Sequence, residues 1–313
     1  MNRWKKNLLV VALLVTVATC AAQTSPRVPA GTVVERDLVF ARAGEQNLVL
    51  DLYLPEKRPA SLPVVLWIYG GAWRSRNRAQ QAPKASWLAG HGYAVAVIDY
   101  RLSSEARFPA QINDCKAAVR WLRAHATKFG LDGNRIGAWG ESSGGHLATL
   151  LGVTGGVADL EGELGHAEQS SRVQAVVDFF GPTDFLQMAA HALPGATLQH
   201  DSPDSPESRL VGGAIQENAA KVARANPIVY VTREVPPFFI VHGEQDLSVP
   251  LHQSELLFAA LQAARRDVTF YKIAGAGHSG PLFTTEPLRA AVLAFFDQQL
   301  KSSSPPAVIQ PER

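Results

Sequence analysis

The chain has 313 residues, 46% of them apolar, and a formal net charge of +2. That length supports one large domain with a well-buried core. The near-neutral charge, with no long run of Lys and Arg, sets nucleic-acid binding aside.

The first 22 residues read as a secretory signal peptide. Arg3, Lys5 and Lys6 precede a short apolar run at 8–17, and small residues follow at 18–22. The apolar run is too short to hold a mature protein across a bilayer. Cys20, in Val17-Ala18-Thr19-Cys20, sits in a degenerate bacterial lipobox and is a candidate lipid-anchor site, although Thr19 departs from the small residue usual there. The expectation is an exported protein, periplasmic or secreted, or membrane-anchored as a lipoprotein. Removal of the leader leaves Cys115 as the only cysteine, so no internal disulfide is available.

Residues 23–31 are polar and Pro-containing and read as a linker into a domain over 32–300. Segments 32–40 and 47–54 suggest a strand pair. Segment 62–69 is an apolar strand ending in Gly70-Gly71, and 93–99 is another strand. A helix is expected over 109–129. Ile112, Cys115, Val119, Leu122 and Ala126 recur at steps of three and four, with Gly130 as its C-cap. On that stripe Cys115 reads as core rather than nucleophile. Asp132-Gly133-Asn134 reads as a turn, 135–140 as a strand and 143–153 as a helix. Beyond them come a strand at 173–180 and a mostly irregular and helical insert at 181–231, read as a cap over a pocket. A strand at 237–241, a helix at 253–265, a strand at 268–273 and a helix at 287–300 complete the domain. The Ser- and Pro-rich tail 301–313 reads as disordered. Alternating strands and helices imply an α/β fold: a mainly parallel, doubly wound sheet with helices on both faces. Chemistry on such sheets collects beyond the C-terminal ends of the strands.

Gly140-Glu141-Ser142-Ser143-Gly144 matches G-x-S-x-G. A strand precedes it and a helix follows, the setting that a nucleophile elbow requires. A serine hydroxyl needs a base to take its proton, and the base needs a carboxylate to orient it. In this arrangement the chain order is Ser, acid, His. Asp246 follows the strand at 237–241, and His278 follows the strand at 268–273, so both pass the strand-end test. Asp184, in Gly181-Pro182-Thr183-Asp184, is the rival acid and has a structural reading as a turn former. The other histidines fit less well. His91 and His125 fall at helix ends, His146 inside the elbow helix, and His252 at the start of the next helix. His166, His191 and His200 fall in variable stretches. His242 could line the site but precedes the acid. Glu141 and Glu244 flank the key residues and read as loop-holding hydrogen-bond partners. Acyl transfer also needs donors for an oxyanion. The amide of Ser143 and those of Gly71 and Ala72, in Tyr69-Gly70-Gly71-Ala72-Trp73, are the candidates, with Trp73 as a substrate-binding residue.

Together, Tyr69–Trp73, Gly140–Gly145 with His146, Asp246 and Gly277-His278 resemble the esterase/lipase branch of the α/β-hydrolases. More narrowly, Asp99-Tyr100-Arg101-Leu102, 135–148, 205–213 with Asn226-Pro227, and 238–246 resemble the bifunctional acetylxylan and feruloyl esterase-like group. The likeness covers about 33–300. It implies an α/β-hydrolase fold and a serine ester hydrolase acting through an acyl-enzyme on small-molecule or polysaccharide-linked esters. Tyr69 stands where that branch usually carries His, which leaves the backbone donors in place and the anchoring of the loop open. No His-Glu-x-x-His, cysteine cluster or phosphate-binding loop appears, and the expected chemistry calls for no metal or cofactor. The same triad would serve an amidase or peptidase, and a non-catalytic binding protein could keep the scaffold. Neither the acyl group nor the oligomeric state is legible in the sequence.

Overall fold

The computed structural model describes residues 28–302 apart from Ala60, Asn77 and Thr197. The signal-peptide reading of 1–22, with Cys20, lies outside the described residues, as does nearly all of the 301–313 tail. Eight strands form one sheet: β1 (Thr32–Ala43), β2 (Gln46–Pro55), β3 (Leu62–Ile68), β4 (Ala94–Ile98), β5 (Leu131–Glu141), β6 (Ala175–Phe179), β7 (Phe238–Gly243) and β8 (Val268–Ile273). Their spatial order is β1-β2-β4-β3-β5-β6-β7-β8. The pairs β1/β2 and β2/β4 are antiparallel and the rest are parallel.

The strands β3 and β4 are apolar at every position because both of their faces are covered. Along β3, Val64, Leu66 and Ile68 enter one core while Val65 and Trp67 enter the other. Along β4, Ala94, Ala96 and Ile98 part from Val95 and Val97 in the same way. Each large side chain so buried stabilises the fold by about 1.5–3 kcal/mol before chain entropy is subtracted. The helix Ala110–Ala124 turns its expected stripe inward: Ile112, Cys115, Val119 and Leu122 are fully buried. Burial pushes the Cys115 thiol well up, in keeping with a core residue.

Most boundaries shift by one to three residues from the sequence reading, and three depart from it further. The helix expected over 109–129 breaks at His125, whose φ of −100° and ψ of 11° leave the helical region, and resumes for one turn at Ala126–Phe129. Gly130, at φ 67°, then caps it as expected. The Asp132-Gly133-Asn134 turn survives as an Asn134 N–H to Asp132 Oδ1 bond of 2.9 Å, but it is absorbed into β5 as a register shift against β3. The last helix ends at Phe296 and continues as a wider turn over Asp297–Lys301. Between β6 and β7 the chain makes only short helices, among them Phe185–Gln187, Pro206–Val211 and Ala219–Ala225. Since β3 and β5–β8 run parallel, the turns that follow them gather along one edge of the sheet.

Candidate active site

Ser142 lies between β5 and the helix Ser143–Val153 at φ 54° and ψ −123°. Such a conformation stores about 1–3 kcal/mol in a non-glycine residue and persists only where the surroundings over-determine it. They do so here. Ser142 N–H donates to Phe179 O at 2.8 Å, and Ser142 O accepts from His146 N–H at 3.0 Å. The elbow's two glycines are required by close approach. A Cβ on Gly140 would stand 2.1 Å from Gly144 O, and one on Gly144 would stand 2.0 Å from Ile68 O. The hydroxyl is thereby held out over the sheet edge.

His278, in the turn after β8, brings Nε2 to 2.9 Å from Ser142 Oγ and Nδ1 to 2.7 Å from Asp246 Oδ2. A proton on Nδ1 satisfies the carboxylate and leaves Nε2 free to accept from the serine hydroxyl. The His278 side chain is 25% exposed, whereas that of Asp246 is fully buried. The backbone N–H groups of Ser248 and Val249 donate to Asp246 Oδ1 at 2.8 and 2.9 Å. Burial by itself would raise the Asp246 carboxyl. Hydrogen bonds from His242 and His278 outweigh it and hold the group well below the usual carboxylate range.

His242, weighed in the sequence only as a residue that could line the site, sits behind the acid. Its Nε2 is 3.1 Å from Asp246 Oδ2 and 2.9 Å from Val249 O, and its Nδ1 is 2.7 Å from Ser254 Oγ. Two acceptors at Nε2 place a proton there, and the Ser254 hydroxyl then donates to Nδ1. The i,i+4 spacing of His242 and Asp246 was the available signal; it went unread because the intervening residues are a turn, not a helix. The rival acid, Asp184, is committed elsewhere. Its Oδ1 accepts from Leu186 N–H at 3.2 Å and its Oδ2 from Gln187 Nε2 at 2.8 Å, capping the turn Phe185–Gln187. His146 packs instead: it is buried with Nε2 2.7 Å from Ala225 O, and burial pushes its imidazole down to about 4. Glu141 pairs with Lys84, while burial raises its carboxyl. Glu244 corrects the sequence reading. Its side chain is exposed, and it is the amide of Glu244 that ties the loop, donating to Ile273 O at 3.1 Å.

The turn after β3 faces the elbow. A Cβ on Gly70 would lie 2.8 Å from Glu141 O and 3.1 Å from the Ser142 Cβ, so the two loops touch at backbone distance. Gly71, Ala72 and Trp73 follow at φ 128°, 55° and 54°. Among the described residues no internal acceptor takes the amides of Gly71, Ala72 or Ser143. Tyr69 supplies the anchor left open in the sequence. Its hydroxyl donates to Asp99 Oδ1 at 3.0 Å, its carbonyl accepts from Tyr100 Oη at 3.1 Å, and the two rings stack at 5.0 Å. A cavity of about 420 Å³ opens over Ser142 and His278. Trp73 lines it while buried edge-on against His146 and Phe185, at 5.2 and 5.5 Å. Leu198, Pro206 and Glu207 of the 181–231 segment line it from the other side.

The family model for BD-FAE matches residues 50–261, which include Ser142 and Asp246. The chain belongs to the BD-FAE family. It is 33% identical over 260 residues to the esterase LipC of Mycobacterium tuberculosis, covering 81% of this chain and 63% of that one. Two solved structures are also similar. A truncated carbohydrate esterase from gut microbiota is 33% identical with a TM-score of 0.81, covering 89% of this chain and all of that one. A bifunctional GH43-CE protein of Bacteroides eggerthii is 39% identical with a TM-score of 0.78, covering 85% of this chain and 35% of that one. The fold is that of an α/β-hydrolase. The chain spans 53–63% of the length of the first three curated relatives.

Proposed function

We propose that this BD-FAE member is a serine carboxylic-ester hydrolase that works through an acyl-enzyme. The observation that carries the reading is one unbroken chain, Ser142 Oγ to His278 Nε2 at 2.9 Å and His278 Nδ1 to Asp246 Oδ2 at 2.7 Å. That is the spacing at which a base can take a hydroxyl proton and a carboxylate can orient the base. In the first step Ser142 Oγ attacks the ester carbonyl as its proton passes to His278 Nε2. The unpaired amides of Ser143 and of Gly71 or Ala72 receive the developing oxyanion, a contribution of about 3–4 kcal/mol per donor in comparable sites. Asp246 offsets the imidazolium charge and fixes its tautomer. His278 then gives its proton to the leaving alcohol. In the second step water, deprotonated by His278 Nε2, attacks the acyl carbonyl, and His278 returns that proton to Ser142 Oγ as the acyl–oxygen bond breaks and the carboxylic acid leaves.

Carbohydrate-linked esters are favoured as substrates by the likeness to a carbohydrate esterase at 33% identity. The leader pattern adds the proposal that the protein is exported, which the mass of the native protein would test: a mature chain that retains Met1 would sink it. The activity itself is tested by fluorophosphonate labelling and by hydrolysis of acetate esters beside matched anilides. Labelling and ester turnover in wild type, both lost in a folded Ser142→Ala variant, are the expected result. A folded Ser142→Ala protein with full turnover would overturn the reading, and faster cleavage of the anilide would turn it towards an amidase.

A further inference from the structure

The proposed reaction uses the sheet side of the cavity and leaves one charged residue of the opposite wall without a task. Glu207 lines the cavity from the short helix Pro206–Val211, and its side chain is 3% exposed. One oxygen, Oε1, lies 3.2 Å from Nδ1 of His200, whose own side chain is 1% exposed. The other, Oε2, is buried with no hydrogen-bond partner among the described residues. Trp73 lines the same cavity, and its indole N–H is likewise buried without a partner.

An acid in the first turn of a helix has an ordinary explanation, since it complements the unpaired amides there. That explanation works with the carboxylate in water, and the N-terminus is already capped by the Ser205 hydroxyl, which accepts from Ser208 N–H at 3.0 Å. It accounts for neither the burial nor the pairing with a second buried residue. Buried polar atoms are almost always hydrogen-bonded, and one left unpaired beside a cavity asks for a partner from whatever fills it. Oε2 can only accept and the Trp73 N–H can only donate. A hydroxyl is the small group that serves both kinds of atom, donating one hydrogen bond and accepting another. An aliphatic ester, whose oxygens only accept, could serve the Trp73 N–H but would leave Oε2 unpaired.

We propose that Glu207, oriented by His200, is a specificity-determining residue of this site, accepting through Oε2 a hydrogen bond from a free hydroxyl of the ester substrate. The proposal rests on the ester-hydrolase reading and says nothing against it if it fails. Glu207 touches no reacting atom in this scheme, so it acts on the choice of substrate and not on the chemistry.

The test uses matched pairs that differ by hydroxyl groups alone. Glycerol monoacetate against propyl acetate places them on the alcohol side, and methyl lactate against methyl propionate places one on the acyl side. Wild type should favour the hydroxylated member of one pair, and the pair so favoured identifies the side. In Glu207→Leu, kcat/KM for that member should fall by about ten- to hundredfold, the worth of one hydrogen bond to a charged group. The hydroxyl-free member should change by less than about threefold. Glu207→Gln keeps the size of the side chain but not its charge, and should fall between. It serves alone if the leucine variant does not fold, a point that thermal melts decide. An equal fall on both members would mark Glu207 as structural, and no change on either would discard the idea. NMR titration of glycerol into wild type and variant reads the same contact without turnover. Loss of glycerol binding in the variant supports the proposal even if no ester is hydrolysed, and binding unaffected by the variant overturns it. A wild type inert towards every ester would count against the ester-hydrolase reading alone.

Discussion

The two walls of the cavity are built by different means. The sheet-side wall rises from the turns after β3, β5, β7 and β8; the first three strands are locked on both sides by parallel ladders, and β8, at the sheet's edge, by the ladder to β7. The elbow's glycines have no room for a side chain: at Gly140 and Gly144 an added Cβ would fall within about 2 Å of a backbone oxygen. The opposite wall comes from the segment between β6 and β7. Short helices there are held by side-chain caps such as Ser205 and Asn226, and by the His200–Glu207 pair. Where backbone meets backbone, a single conformation survives and a strained serine can be kept. Where side chains do the holding, residues can change without unseating the sheet. On the proposed reading, reaction chemistry belongs on the first wall and choice of substrate on the second.

That division can be broken most decisively at Ser142. Ser142→Ala should lower kcat by about six orders of magnitude, as loss of the nucleophile does where residues act as a unit, and should abolish fluorophosphonate labelling while the melt stays near wild type. Next comes Asp246→Asn, expected to cost about four orders in kcat, because the amide offers His278 Nδ1 the wrong partner and leaves the imidazolium uncompensated. His242→Phe should cost less, about ten- to hundredfold, since Asp246 keeps its bonds to His278, Ser248 and Val249. A loss as large as that of Asp246→Asn would make His242 part of the reacting unit and redraw the first wall. In the segment that supplies the second wall, but off the cavity itself, Asp184→Asn should change kcat/KM by no more than a few-fold, because asparagine caps a turn nearly as well. Steady-state kinetics on one acetate ester rank all four, and a crippled Asp184→Asn would erase the distinction between the walls.

A smaller effect concerns stability beneath the sheet-side wall. Asp178, on β6 under the elbow, is fully buried, and burial pushes its carboxyl up to about 7 despite the hydrogen bond it accepts from Gly181 N–H at 3.0 Å. A carboxyl whose pKa is higher folded than unfolded favours the native state when protonated. Its contribution is whole below about pH 4, the unfolded value, and is lost as pH rises towards 7. Asp178→Asn should remove that loss, so urea melts of variant and wild type should converge at pH 4 and separate in the variant's favour by pH 7. Asp246 works in the opposite sense. Its lowered carboxyl contributes stability at neutral pH that disappears as the solution is acidified below about pH 4.

Much of this is legible in the sequence alone. Strand and helix segments could be read because both faces of the central strands are apolar and the helix Ala110–Ala124 repeats at three and four, which are local properties. Ser142, Asp246 and His278 stood out because each follows a strand in a set order. What stayed hidden depends on distance through space. His200 and Glu207 are seven residues apart in an irregular segment, and their burial shows only when that segment folds over the sheet edge. His242 could be read only as a residue lining the site, because it precedes the acid in the chain, yet the turn after β7 folds it back onto Asp246. The Tyr69–Asp99 bond crosses thirty residues because β3 and β4 are sheet neighbours.

The sequence by itself determined the alternation of strands and helices, the elbow and the order of its partners, since periodicity and turn chemistry act over a few residues. Only the tertiary structure decided which groups meet. Ser142 and His278 lie 136 residues apart and come within 2.9 Å because the sheet order carries β5 and β8 to the same edge. The second wall was decided the same way, by an irregular segment whose path follows from what it packs against and not from any repeat in its residues.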